Sequence, residues 1–321
     1  MKAVLLPGIN ESLQVVDHPE PRPDEGFALV RIRAAALNHR DVYIAQGQYA
    51  GISTPVIPGS DGAGEWDGRR VLIDPSLNWG SDPRAQGAQY RILGMPDNGT
   101  FAQWVSVPVE NIHDCPAHLS FEQAAALPLA GVTAWRALFT RCNLQKGEKV
   151  FITGIGGGVA LFAMQFALAA GAEVYVSSGS AEKIAKATAL GATAGVNYRE
   201  ENWDKTLRSM AGGFDVVIDS AGGDGFAKLP ALCNSGARIG IYGGTMGKVN
   251  GLSPQILFWK QISIHGSTMG NAADFAAMLQ FVNQHRIIPV IDRVFEMEAV
   301  NDAYARMHHS EQFGKIVLRI S

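Results

Sequence analysis

The chain has 321 residues, too many for one small domain and a good length for two of ordinary size. Its 47% hydrophobic and 18% charged composition supplies enough apolar material for real cores and excludes a disordered chain. A net charge of −3, from 27 basic and 30 acidic residues, argues against a specialist in nucleic-acid or membrane-surface binding, whose balance would lean basic.

The first third reads as β-structure. Lys2–Leu6, Leu13–Val16 and Phe27–Ala35 are short runs rich in bulky or β-branched residues, and the turn-rich tract His18–Gly26 separates the last two. The opening meets Pro7, Gly8 and Asn10 before any long apolar run, so no signal peptide is expected. Arg70–Asp74 and Phe101–Pro108 continue the pattern, which predicts an irregular, largely antiparallel barrel or sandwich. Pro75–Gly99 is polar, rich in Gly and Pro and without period, so it is expected to be a long surface excursion.

Near Ser120 the character changes. Ser120-Phe-Glu-Gln123 has the form of a capping box ahead of an alanine-rich segment. From Lys149 onward, apolar strands alternate with helices. Val150–Gly154 leads into a helix over 158–171, and Glu173–Ser178 into a helix over Ala181–Leu190. Further strand-like runs follow around Val196, Val217, Ile239 and Ile264. This alternation, with glycine at strand ends, predicts an α/β fold with a doubly wound parallel sheet. From Asp292 through Lys315–Ile320 the texture is mixed again, and this end is expected to return to the first domain. The apolar stretch Val159–Ala170 is roughly a dozen residues, against the about 20 that a membrane span needs, so no membrane association is expected. Cys115, Cys142 and Cys233 are widely spaced and form neither a disulfide framework nor a metal knuckle, which suits a soluble cytoplasmic enzyme.

The sharpest chemical signal is the strand–turn–helix–strand unit Val150–Ser178, with the loop Gly154-Ile-Gly-Gly-Gly158 at its turn. Such a turn presents backbone N–H groups at a helix N-terminus, where partial positive charge suits a pyrophosphate. The spacing is G-x-x-G-x-x-A, at Gly154, Gly157 and Ala160, rather than a strict G-x-G-x-x-G. Gly156, Gly158 and Val159 complete the expected cradle. An NAD site usually places Asp or Glu at the end of the second strand; here Ser177-Ser-Gly-Ser-Ala181 stands there, with no carboxylate between Glu173 and Glu182. Ser178 and the nearby Lys183 suit a 2′-phosphate, so NADPH is the expected cofactor.

On these features the chain resembles the medium-chain dehydrogenase/reductase superfamily, in its zinc-free quinone oxidoreductase and enoyl reductase branch. The likeness rests on Ala36-Leu-Asn-His-Arg-Asp41, Pro58-Gly-Ser-Asp-Gly-Ala-Gly64, Gly99-Thr-Phe-Ala-Gln-Trp104 and Ala125–Trp135. The glycine loop, Leu190-Gly-Ala-Thr193, Val196-Asn-Tyr-Arg-Glu200 and Gly314-Lys-Ile-Val-Leu318 add to it. The resemblance implies a GroES-like, mostly β catalytic domain from both chain ends (1–122 and 270–321), a Rossmann domain between them (123–269), and an active site in the cleft. It implies that Lys183 and Tyr198 lie near the 2′-phosphate and that Thr133 packs on the nicotinamide. Tyr242, Gly243, Ser267, Thr268 and Met269 are implied to serve its carboxamide through strand ends. Asn38, Tyr43 and Tyr49 are implied to line the substrate site, with Tyr49 the proposed proton donor. Asp41 is expected to organise its loop, and His39 is either a pyrophosphate contact or a surface histidine.

Zinc-dependent relatives hold their catalytic metal at positions that here read Asn38, Ser60 and Leu129, none a thiolate or imidazole. Pro75–Gly99 lacks the four cysteines of a structural zinc lobe, and the histidines show no zinc-binding spacing; His308 and His309 read as a solvated helix end. No metal is expected. Without a Lewis acid, hydride acceptors that delocalise their own new charge are favoured, namely quinones and α,β-unsaturated carbonyls. A phenol holds its proton at neutral pH yet can give it to an enolate; the alternative for Tyr49 is an aromatic lid that only packs. A metal-free alcohol or aldehyde dehydrogenase, and a non-catalytic NADPH-binding protein, are the alternatives. By analogy with relatives, a homodimer or homotetramer is expected, with the apolar strand Ile262–His265 in its interface.

Overall fold

The computed structural model describes residues Met1–Ser321. The chain divides into two compact units, Met1–Val132 with Gly270–Ser321, and Thr133–Met269.

In the first unit, β1 (Lys2–Leu5) and β2 (Gln14–Asp17) form an antiparallel pair. The main sheet is built from β3 (Phe27–Ala36), β4 (Asp61–Trp66) and β5 (Arg69–Ile73). The short strands β6 (Ser76–Leu77) and β7 (Arg91–Ile92) pair with each other, after which β8 (Trp104–Pro108) and β9 (Ile112–Asp114) rejoin the main sheet. β3 is the organiser. Its Ala28, Val30, Ile32 and Ala34 alternate inward, and its length lets it pair with β8 along its first half and with β4 along its second. The pairs are antiparallel, as expected, except for the closing strands described below.

The segment 75–99 is a surface excursion only in its middle, where residues 80–89 are largely exposed; its two ends are anchored in the core. Leu77, Leu93 and Met95 belong to the buried core, Trp79 meets Tyr90 edge-on at 5.2 Å, and Arg91 pairs with Asp97 at 2.8 Å. The anchors are single residues between Gly and Pro turns, so no period betrays them. The capping-box helix α2 (Phe121–Ala126) packs on β3 and β4, which keeps residues up to Val132 with the first unit rather than only those up to 122. Ser120 Oγ accepts the Gln123 N–H at 3.2 Å, while Gln123 Oε1 accepts the Ser120 N–H at 2.9 Å. Ahead of it in sequence lies the short helix α1 (His39–Ala45), and behind it α3 (Pro128–Trp135).

The second unit carries β10 (Lys149–Ile152), β11 (Glu173–Ser178), β12 (Ala194–Asn197), β13 (Phe214–Asp219), β14 (Cys233–Ile241) and β15 (Ser263–Gly266). They form one parallel sheet in the order β12-β11-β10-β13-β14-β15, the doubly wound arrangement expected. The connections are α4 (Gly158–Ala169), α5 (Ala181–Ala189), α6 (Trp203–Ala211), the short α7 (Gly223–Phe226) and α8 (Leu229–Leu232), and α9 (Pro254–Lys260). α4 is apolar on nearly all sides because it is buried: Leu161, Phe162, Met164 and Phe166 are each at most 2% exposed. Phe151, Phe214 and Tyr175 hold the other face, at ring separations of 5.3 and 5.4 Å.

The remaining elements return to the first unit. They are α10 (Ala272–His285), β16 (Ile291–Glu296), α11 (Val300–His308) and β17 (Lys315–Arg319). β17 runs parallel to β16 and antiparallel to β3, and Leu37 N–H donates to Ile316 O at 2.9 Å. The last strand thus delivers Lys315 beside the start of α1. His308 and His309 are exposed at the end of α11, as the sequence suggested. No helix is long and apolar enough to cross a membrane.

Candidate active site

In a parallel doubly wound sheet, ligands meet the carboxyl ends of the strands where the strand order reverses. Here the reversal lies between β10, β11 and β13, and the glycine loop follows β10. Gly154 and Gly156 have φ of +66° and +121°, values that side chains disfavour. Gly157 caps α4 without a side chain, so no cap competes for the first N–H groups of Gly158, Val159 and Ala160. The next strand end stiffens this turn. Thr153 Oγ1 donates to Asp219 Oδ1 at 2.7 Å, and Asp219 Oδ2 accepts the N–H groups of Ala221 and Gly222 at 3.1 and 2.8 Å. Burial raises the Asp219 carboxyl pKa, partly opposed by these donors.

At the end of β11, Ser178 is buried and its Oγ accepts the Ser180 N–H at 3.3 Å. Ser180 in turn caps α5 through the Lys183 N–H. Lys183 lies over the glycine loop: a Cβ on Gly156 would come within 2.8 Å of its Cδ and 3.5 Å of its Nζ. A Cβ on Gly179 would stand 2.8 Å from both Tyr198 Oη and Arg199 Nε. Lys183 therefore lies against Gly156 of the glycine loop, while Arg199 and Tyr198, the latter 47% exposed, lie against Gly179. Sequence reasoning missed Arg199, although it sits beside Tyr198 in a motif already noted.

The residues expected at the nicotinamide end also gather. Thr133 Oγ1 lies 3.8 Å from Met269 Sδ, Tyr242 N–H donates to Asp219 O at 3.0 Å, and Ser267 N–H donates to Ile241 O at 2.8 Å. Gly243 has no room for a side chain, since a Cβ would lie 2.6 Å from Ser220 O. The Ser267 hydroxyl is buried with no protein partner, whereas Thr268 is exposed.

The first unit contributes a buried polar network. Asn38 precedes α1, and its backbone N–H donates to Asp41 Oδ2 at 2.8 Å, so Asp41 organises the loop as expected. Burial pushes the Asp41 carboxyl up to about 6, while the Arg40 guanidinium and the Asn38 N–H hold it down. The Asn38 side chain donates from Nδ2 to Asp61 Oδ2 at 2.9 Å and accepts from Lys315 Nζ at Oδ1, 2.7 Å. Lys315 gives its other hydrogens to Asp61 Oδ2 and Leu37 O, both at 2.8 Å. Asp61 Oδ1 accepts the Leu129 N–H at 2.8 Å. Nearby, Arg40 Nη1 donates to Ser60 Oγ at 2.7 Å and to Leu93 O at 3.1 Å, and its guanidinium stands 5.2 Å from the centre of the Tyr49 ring. Tyr43 and Tyr49 are half-buried; His39 is exposed, its ring 6.3 Å from that of Tyr43. Sequence reasoning also missed Lys315 and Arg40. The usable signal for Lys315 was a lysine between Gly314 and three apolar residues in a strand that has to be buried. No three His, Cys, Asp or Glu side chains gather in an arrangement able to hold a metal.

Two family models match the chain, "Alcohol dehydrogenase GroES-like domain" over residues 24–117 and "Zinc-binding dehydrogenase" over residues 158–284. A zinc-type alcohol dehydrogenase-like protein of the fungus Leptosphaeria maculans is 36% identical, covering 96% of this chain and 94% of that protein. Among solved structures, an NAD-dependent alcohol dehydrogenase is 34% identical with a TM-score of 0.93, and the match covers both chains completely. The quinone oxidoreductase of Thermus thermophilus, solved also in complex with NADPH, is 27% identical over the whole of both chains, with a TM-score of 0.84.

Proposed function

The chain belongs to the medium-chain dehydrogenase/reductase superfamily of nicotinamide-dependent oxidoreductases, and from that premise we propose that it is an NADPH-dependent, zinc-independent reductase of quinones or α,β-unsaturated carbonyls. The observation that carries this reading is the buried network of the first unit. The three positions at which metal-dependent relatives carry ligands are an amide, a hydroxyl and an aliphatic side chain. Asn38 is held by Asp61 and Lys315, Ser60 is held by Arg40, and Leu129 offers only its backbone N–H, already given to Asp61. A divalent cation there would face two buried cations and no thiolate or imidazole. These residues do not fit zinc.

NADPH is supported by Tyr198 and Arg199 beside Gly179, by Lys183 over Gly156 in the glycine loop, and by hydroxyls where an NAD site would carry a carboxylate. NADPH, when bound, would supply a hydride with its electron pair. A quinone accepts it as an aromatising hydroquinone anion; an enone accepts it at the β-carbon as an enolate. Asn38 offers an N–H to the acceptor oxygen, Tyr49 supplies the proton, and Tyr43 shapes the same pocket. Three free thiols suit the reducing cytoplasm, and the near-neutral charge gives no surface for nucleic acid.

The test follows NADPH absorbance with a panel of quinones, enones and simple carbonyls, alongside elemental analysis. Turnover of the first two groups by zinc-free protein is expected. Oxidation of simple alcohols alone, with stoichiometric zinc, overturns the reading in favour of the alcohol dehydrogenase that two relatives' names suggest; cofactor binding without any turnover makes it a binding protein. Tyr49→Phe should lower enone kcat by roughly 100-fold at unchanged NADPH affinity. Equal losses in both, measured by steady-state kinetics and fluorescence titration, would remove the proton-donor role.

The partner we assign is a second copy. β15 is an edge strand with Ile264 exposed, and α9, which precedes it in the chain, turns out Phe258 and Trp259, which are 66% and 83% exposed. A homodimer, alone or paired into a tetramer, should sediment as such at micromolar concentration. Ile264→Pro, which removes an edge donor, should yield monomer; a monomeric parent chain rejects the assignment.

A further inference from the structure

We infer that Lys315 is a positioning residue that polarises the Asn38 amide, making its second Nδ2–H the donor that receives the negative charge left by hydride transfer. The inference rests on the reductase reading above and concerns how that site works without a metal.

The amide's orientation is fixed by chemistry. Lys315 can only donate and an ionised Asp61 can only accept, so Oδ1 must face the ammonium and Nδ2 the carboxylate. Nδ2 carries two N–H bonds, and only one, to Asp61 Oδ2, has a protein acceptor. Asn38 is 7% exposed, so the remaining N–H is a nearly buried donor with nothing in the chain to receive it. Drawing electron density toward Lys315 through Oδ1 strengthens that donor, as linked hydrogen bonds polarise one another at low dielectric. The ammonium cannot turn to the substrate itself, since Leu37 O, Asn38 Oδ1 and Asp61 Oδ2 take all three of its hydrogens. Asp61 offsets the cost of burying that cation and, with its other oxygen, holds the Leu129 N–H at the start of α3.

In the step itself, hydride forms a C–H bond at the β-carbon, the alkene π pair moves to the α-carbon–carbonyl bond, and the carbonyl π pair moves onto oxygen. The dihydronicotinamide is oxidised and the acceptor reduced. A proton drawn ultimately from water then adds at the α-carbon. The enolate concentrates charge on one oxygen, whereas a hydroquinone anion spreads it over an aromatic ring. An acceptor of the first kind needs the Asn38 donor more.

This difference supplies the experiment. Lys315→Met/Asp61→Asn removes both buried charges together, and NADPH affinity by fluorescence titration should stay unchanged. Enone kcat should fall about 30-fold with KM little altered, and quinone kcat less than about threefold. Asn38→Ala, which leaves the ion pair intact, should give the same pattern, and adding the double substitution to it should bring no further loss. Equal losses for both acceptors, or a full second loss in the Asn38→Ala background, overturn the inference. If the double substitution fails to fold, the acceptor pattern of Asn38→Ala decides. A parent enzyme that turns over neither acceptor sinks the reductase reading and this inference with it; a parent that turns over both, with equal losses in the variants, sinks the inference alone.

Discussion

Lys183→Ala/Arg199→Ala should weaken NADPH binding about 100-fold or more and change NADH binding less than about threefold. A hydrogen bond from a cationic side chain to a phosphate contributes about 1.5–3 kcal/mol, and about 1.4 kcal/mol is a factor of ten. The lower end applies because Arg199 is exposed and Lys183 only half-buried, so water screens both. The two act from different sides. Lys183 reaches over Gly156 in the glycine loop, whereas Arg199 and Tyr198 flank Gly179. The single variants should therefore differ, with Arg199→Ala shifting the preference for NADPH over NADH more and Lys183→Ala also weakening NADH somewhat. Fluorescence titration with both cofactors distinguishes these outcomes. An unchanged ratio of the two affinities would put the 2′-phosphate somewhere else.

Lys315→Met alone should be the most damaging single change in the first unit. It leaves the fully buried Asp61 carboxylate without its cation, and breaking a buried pair in this way costs about 3–5 kcal/mol. For a unit of this size that is a fall in Tm of roughly 6–20 °C, read by calorimetry. Adding Asp61→Asn should restore most of the loss, because the uncompensated charge disappears while Leu129 N–H keeps an acceptor. If the double variant is as unstable as the single one, packing of the Lys315 methylenes rather than charge accounts for the loss.

The second unit was the more legible from sequence because its rules are local. A strand buried on both faces is a continuous apolar run, as in Val150–Ile152 or Val216–Ile218, and the turn after it needs glycine for reasons of φ. The first unit was less legible. Its core draws on isolated residues such as Leu77, Leu93 and Met95, whose partners are distant and whose neighbours are turn formers. The polar network was harder still. Asn38 and Lys315 meet across 277 positions and Asp61 and Lys315 across 254, and no periodicity links residues so far apart. Sequence reasoning nominated Asn38 for its place in a motif, but of the groups that orient it Asp61 stood among glycines and Lys315 in a strand that looks merely apolar. Arg199 escaped for another reason: an exposed arginine after a strand has many ordinary explanations, and only its closeness to Gly179 separates it from them.

The first unit takes its final strand from the last few residues of the chain, while the second is continuous from Thr133 to Met269. During synthesis from the N-terminus, the second unit is therefore made whole while the buried network of the first still lacks its ammonium. Until β17 docks, Asp61 stands without a counter-ion and the Asn38 amide is not held. A chain cut before β17 would accordingly keep the glycine loop whole and lose the cation that holds the Asn38 amide.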